Sequence, residues 1–193
     1  MLKNAGPSSG LDEVDRFVAM ESAFLRTHFR TKPKLEFFDD DHSGQAFAIK
    51  GSETTVAVGR RLIQLQVQEA RNDWTIAVAG ILAHEWNHAF QYAHVLQERV
   101  FLWETHSDYM AGWYLGLRYW QQGLAGFPEI FAKLLSARGS STGYFDPDKH
   151  GQPKERAAAM VAGFKTATEG SKGTRLDVDD AAEKGYIYAK SQR

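Results

Sequence analysis

The segment that most constrains this chain runs almost unbroken apolar from Trp74 to Ala83 and then delivers His84-Glu85-Trp86-Asn87-His88 with no helix breaker between. A run of that composition reads as a helix buried on most sides rather than one lying on a surface. Such a helix cannot carry two histidines and a glutamate inward without partners, because a buried polar group left unpaired costs about 1–3 kcal/mol. At about 100° per residue, positions four apart share one face a turn up, so His84 and His88 can aim imidazole nitrogens at one point. That is a two-ligand platform for a metal. Two neutral imidazoles with a carboxylate suit zinc and leave a fourth position open to water. Glu85 points about 100° away from His84, close enough to take a proton from that water without binding the ion.

With 193 residues, 43% of them hydrophobic, the chain can bury a proper core, and it is expected to form a single domain over 1–193 with 1–10 as a flexible arm. The formal net charge is −1 and no long charge run occurs, which argues against a nucleic-acid or membrane-surface partner. Cysteine is absent, so disulfides, thiolate metal sites and thiol nucleophiles drop out together and only histidines and carboxylates remain as strong ligands. The first ten residues lack the apolar stretch of a signal peptide, and no run of about twenty apolar residues offers a membrane span. A cytoplasmic and an exported address are equally compatible with this, and the oligomeric state is not legible.

Taken in order, Leu11 to Arg30 shows helical spacing, and Leu35–Phe38, Ala46–Ile49 and Thr54–Val58 are short β-prone runs separated by Asp, Gly and Ser turns. Arg60–Ala70 is the next helix, followed by a turn whose Asp73 is expected to cap the apolar helix from Trp74 to about Leu96. A second long helix is expected over Glu98–Gly123. In it, Gly112 and Gly116 suggest a seam for close packing against another helix, and the charges of Glu104, Asp108 and Arg118 argue against a membrane reading of the pair. A short helix over Phe127–Leu135, a loop over Arg138–Pro153, and helices over Lys154–Ala167 and Val178–Lys190 complete the chain.

A catalytic zinc takes three protein ligands, and Glu104 and Asp108 lie four apart on that second helix. An antiparallel return after a turn near Gln97 would bring their face beside His84 and His88. Glu104 is then the expected third ligand. Asp108 is the carboxylate expected to hydrogen-bond a ligating imidazole and fix its tautomer.

These two helices together resemble the gluzincins, zinc peptidases in which H-E-x-x-H on one helix is joined by the Glu of E-x-x-x-D on the next. The closer likeness is to the minimal-domain branch, the HtpX-like and CAAX-prenyl-protease-like peptidases and the bacterial neutral zinc metallopeptidases. Gln45-Ala46-Phe47-Ala48 is similar to the N-A-F-A of that branch, Val56 to Leu62 to its strand-then-helix, and His150 to Arg156 to its late His-x-Pro…Arg element. The likeness covers about residues 35–165. It implies a mostly helical α+β, zincin-like domain with a small β-sheet, a zinc cofactor, and a peptide or protein substrate. It further implies a substrate backbone paired at the strand edge of Gln45, Ala46 and Phe47, Arg156 among the substrate-binding residues, and His150 steadying the oxyanion. Departures are Gln45 in place of the usual Asn, Trp86 and Asn87 in place of small residues, and the short interval from His88 to Glu104. No membrane helices flank the domain, so the substrates of membrane-bound members do not carry over.

Other readings stay open on the sequence alone. A metal closed by four protein ligands would make the chain a scaffold or partner-recognition module, and the same chemistry would also serve a hydrolase of non-peptide amides. Glu104 and Asp108 can also be merely solvated or salt-bridged residues on an outer helix face, and His150 can be a plain loop residue with Arg156 bridging to a carboxylate. His28, His42, His94 and His106 are read as non-ligands, and Trp103, Tyr109, Trp113, Tyr114, Tyr119 and Trp120 as core packing.

Overall fold

Acidic residues crowd the first turn of α1 (Asp12–Phe29), and Val14, Val18, Leu25 and Phe29 share its buried face, in a computed structural model that describes residues 2–41, 44–94, 100–122, 152–170 and 176–192. The helix stops at Arg30, which takes a left-handed conformation with φ 52°, and Pro33 follows where no helix can continue. Three short strands come next: β1 (Lys34–Phe38), β2 (Ala46–Ile49) and β3 (Thr55–Gly59). β3 lies in the middle, parallel to β1 with Lys34 opposite Thr55 and antiparallel to β2 with Ala46 opposite Val58. Its Val56, Ala57 and Val58 are wholly buried, as the central strand of a covered sheet requires.

β3 runs without a loop into α2 (Arg60–Ala70). Asp40 caps that helix, accepting from the N–H groups of Arg61 at 2.7 Å and Leu62 at 3.2 Å, with a further bond from Gln45 N–H at 3.0 Å. A carboxylate there meets both the orphan donors and the positive end of the helix dipole. Gly59 makes room for it, since a Cβ at that position would lie 2.0 Å from Asp40 Oδ2.

A single 3-10 turn, Arg71–Asp73, leads into α3 (Trp74–Ala93). The expected cap by Asp73 is not made. Asp73 has φ −101° and ψ 10° and its side chain accepts no capping bond, because a capping side chain needs an extended backbone to reach the N–H groups of the first turn. The Trp74 N–H is met instead by the Arg71 carbonyl, within the 3-10 turn. α3 is the core of its unit: Ala77, Val78, Leu82, Ala83 and Trp86 are fully buried, and the Trp86 indole donates to the Thr31 carbonyl at 3.4 Å.

The arm of residues 2–10 is tied down. Gly6 exchanges two backbone bonds with Phe37, Arg60 donates to the Asn4 and Ser8 carbonyls, and Asp15 accepts from Ser8 and Ser9. Burial pushes the Asp15 carboxyl up, but the Ser8 and Ser9 donors and the Arg60 charge outweigh it and hold the pKa below the ordinary 3.8.

The other helices are α4 (Val100–Gln122), α5 (Pro153–Gly170) and α6 (Val178–Ser191), and α6 is capped by Asp177 through bonds from the Asp179 and Asp180 N–H groups at 3.0 Å. The chain divides into two compact units, the described residues 2–94 forming one and residues 100–192 the other. In the second unit α4 packs on α5 through glycines, as the spacing of Gly112 and Gly116 suggested. A Cβ on Gly112 would lie 2.0 Å from the Met160 carbonyl oxygen, one on Gly116 2.6 Å from Ala167 Cβ, and one on Gly163 1.8 Å from the Tyr109 carbonyl oxygen. Tyr109, Trp113 and Tyr114 are buried in that unit. The described architecture is a mostly helical α+β fold with one small mixed sheet. No helix among the described residues is long and apolar enough to cross a membrane. The expected helix over Phe127–Leu135 lies outside the described residues, as does the loop from Arg138 as far as residue 151.

Candidate metal centre

The regular turn of α3 stacks His84 over His88, and their Nε2 atoms stand 3.1 Å apart with the rings near perpendicular at 82°. Two imidazole nitrogens at that distance either share a hydrogen bond, one donating and the other accepting, or bind one ion between them. His84 is 1% exposed and His88 half-buried. The His88 Nδ1–H donates to Gln91 Oε1 at 2.8 Å, and Gln91 is itself 2% exposed. This bond sets the His88 tautomer and puts the ring's lone pair on Nε2, the atom that faces His84. Glu85, between the two histidines in sequence, is 1% exposed.

On α4, Glu104 stands one turn before Asp108. Asp108 is 1% exposed and accepts from Arg156 of α5 in a two-pronged ion pair, Nε to Oδ2 and Nη2 to Oδ1, both at 2.9 Å. This fork ties α4 to α5 and fixes the turn that carries Glu104. Arg156 is 3% exposed. The sequence left two roles open for it, and the structure gives it the carboxylate partner. His84, His88 and Glu104 each offer one ligand atom, all within 4.8 Å of one another, so this group could hold a metal ion.

β2 is an edge strand. The Gln45 carbonyl accepts from Gly59 N–H at 2.7 Å, which turns Gln45 and Phe47 toward β3 and leaves the backbone groups of Ala46 and Ala48 on the outer side. The Ala48 carbonyl there accepts from the Tyr92 hydroxyl at 3.3 Å. The Phe47 ring packs on Phe38 with centroids 5.3 Å apart.

Two other histidines bond to backbone carbonyls of their own units. His106 Nε2–H donates to the Ala182 carbonyl at 3.1 Å within the second unit, and His94 bonds the Phe90 carbonyl at 2.8 Å and stacks on its ring. His42 and His150 lie outside the described residues. Gln91 escaped the sequence reading, although its signal was present: a polar residue three places after His88 on a helix that buries nearly everything else. Compared with family models, with curated proteins and with solved structures, the chain matches none.

Proposed function

We propose that this chain is a zinc-dependent peptidase of gluzincin type, with His84, His88 and Glu104 as the ligands and Glu85 as the proton-transfer residue. The observation that carries the reading is the histidine pair, His84 buried and His88 half-buried. Two nitrogens each about 2.0–2.1 Å from a tetrahedral zinc lie about 3.3 Å apart, and the His84 and His88 Nε2 atoms are separated by 3.1 Å. The donor set of two imidazoles and a carboxylate leaves a fourth position for water or substrate, whereas closed structural sites take four protein ligands.

When bound, zinc supplies a Lewis acid that polarises the scissile carbonyl and brings the pKa of water to about 7. Glu85, on the same turn as His84 and shielded from solvent, accepts the proton of the attacking water and delivers it to the leaving amine. Gln91 keeps His88 in the ligating tautomer, and the Asp108–Arg156 fork keeps the Glu104 turn in place. The outer backbone groups of Ala46 offer an extended substrate strand a partner beyond the Ala48 carbonyl that Tyr92 holds, with Gln45 and Phe47 flanking them.

Glu85→Gln tests the assignment. It preserves shape and hydrogen bonding but cannot accept a proton, so zinc content should stay at wild-type level while cleavage of unfolded protein or mixed peptides falls at least about a hundredfold. Retained cleavage in the zinc-replete variant would overturn the mechanism. Equal zinc without cleavage in either protein would favour a scaffold.

A further inference from the structure

Successive residues of a strand direct their backbone groups to opposite sides. In β1 the even-numbered residues face β3, as the Lys34 N–H to Thr54 carbonyl bond of 2.9 Å marks, and the odd-numbered ones face away from the sheet. The N-terminal arm fills one of those outward positions, Phe37, which exchanges bonds of 2.9 and 2.8 Å with Gly6, and just past the strand Asp39 N–H donates to the Lys3 carbonyl at 3.0 Å. The arm then leaves the strand, with the Ser8 hydroxyl drawn to Asp15 at 2.6 Å. Leu35, the next outward position, has no backbone partner on that side among the described residues.

Leu35 opens onto a cavity of about 480 Å³ between β1 and α1. Ser22 on the α1 wall is 6% exposed, and its hydroxyl has no hydrogen-bond partner among the described residues. Arg26 and Lys32 line the same cavity and have no ion-pair partner among the described residues. The other charges there are Lys34, paired with Glu36 at 2.6 Å, Asp15, held by Ser8 and Ser9, and Glu53. An open strand edge, an orphan buried hydroxyl and two unpaired cations thus share one groove.

The structure assigns this groove as a docking site for an extended peptide segment bearing acidic side chains, added to β1 beside Leu35. Its backbone exchanges hydrogen bonds with the Leu35 N–H and C=O, its carboxylates meet Arg26 and Lys32, and Ser22 gains a partner. The volume accommodates a few extended residues at about 3.3 Å each. None of these residues belongs to the histidine pair, so the proposal stands apart from the peptidase reading.

The test uses the full chain carrying Glu85→Gln, so that cleavage cannot consume the probe, a fluorescein-labelled hexapeptide of alternating valine and glutamate followed by fluorescence anisotropy. Saturable binding is expected. Arg26→Glu with Lys32→Glu should weaken it at least about tenfold. Leu35→Pro should abolish it with circular dichroism and thermal midpoint unchanged, because an outward N–H on an edge strand can be lost without touching the ladder. A probe N-methylated at every second residue, in whichever register blocks strand pairing, should not bind. Absent binding, equal binding of a valine–lysine peptide, or undiminished binding of both N-methylated registers overturns the proposal. Displacement by inorganic phosphate or free glutamate as effective as by unlabelled peptide also overturns it, and marks a small-anion site.

Discussion

Removing the guanidinium of Arg156 while keeping its stem, as in Arg156→Met, takes both 2.9 Å bonds of the fork away from the Asp108 carboxylate, which is 1% exposed. Breaking a buried pair from one side costs about 3–5 kcal/mol, a large part of the roughly 5–15 kcal/mol that holds a typical domain folded. For a chain of this size each kcal/mol moves the thermal midpoint about 2–4 °C, so a drop of about 6–20 °C is expected. Asp108→Leu should cost a similar amount, because it leaves a buried cation. The double variant removes both charges together and should return to within about 1 kcal/mol of wild type, since an apolar pair of similar volume replaces a buried ion pair at little net cost. Urea unfolding followed by circular dichroism, on chelator-treated protein so that metal binding contributes nothing, reads all four corners of the cycle. Single variants within about 1 kcal/mol of wild type, or a double variant destabilised by the sum of the singles, would refute the reasoning.

Two further outcomes follow from the geometry. Gln91→Leu frees the His88 tautomer and should loosen zinc about tenfold to a hundredfold in a competitive chelator titration, with an unchanged affinity counting against Gln91 as the orienting partner. Asp15 has a folded pKa below the ordinary 3.8, so the stability it adds is present above that value and is lost as pH falls through the lower folded one; the advantage of wild type over Asp15→Asn should therefore shrink on acidification below about pH 4, and a gap independent of pH would contradict this.

Helices and strands were legible where a single periodicity ruled, as in the apolar run of Trp74–Ala83 and the three β-prone runs between Leu35 and Val58. The glycine seam was legible too, because a residue without a side chain in a helix interior costs stability unless something packs close, and α5 does so at Gly112 and Gly116. What the sequence hid depended on partners distant along the chain. Asp108 and Arg156 are 48 residues apart, and Asp40, rather than the adjacent Gly59, caps α2. The N-terminal arm reads as loose from its Gly, Pro and Ser content, yet Gly6 pairs with Phe37 and Arg60 reaches back to it, contacts that composition does not encode. At the candidate site the i, i+4 histidines could be read because helix geometry alone joins them. The same geometry marks Gln91 as a polar neighbour of His88, but the bond that His88 donates to it depends on a side-chain rotamer and was not legible.

The central claim is an open zinc site made of two imidazoles and a carboxylate, and zinc K-edge X-ray absorption on the metal-replete chain tests it most directly. About one zinc per chain is expected, with two imidazole nitrogens at about 2.0–2.1 Å and oxygen in the remaining positions at about 2.0–2.2 Å, and with the imidazole scattering lost in a His84→Ala, His88→Ala double variant. A zinc with no imidazole ligands, or an imidazole signal that survives in the double variant, would contradict it.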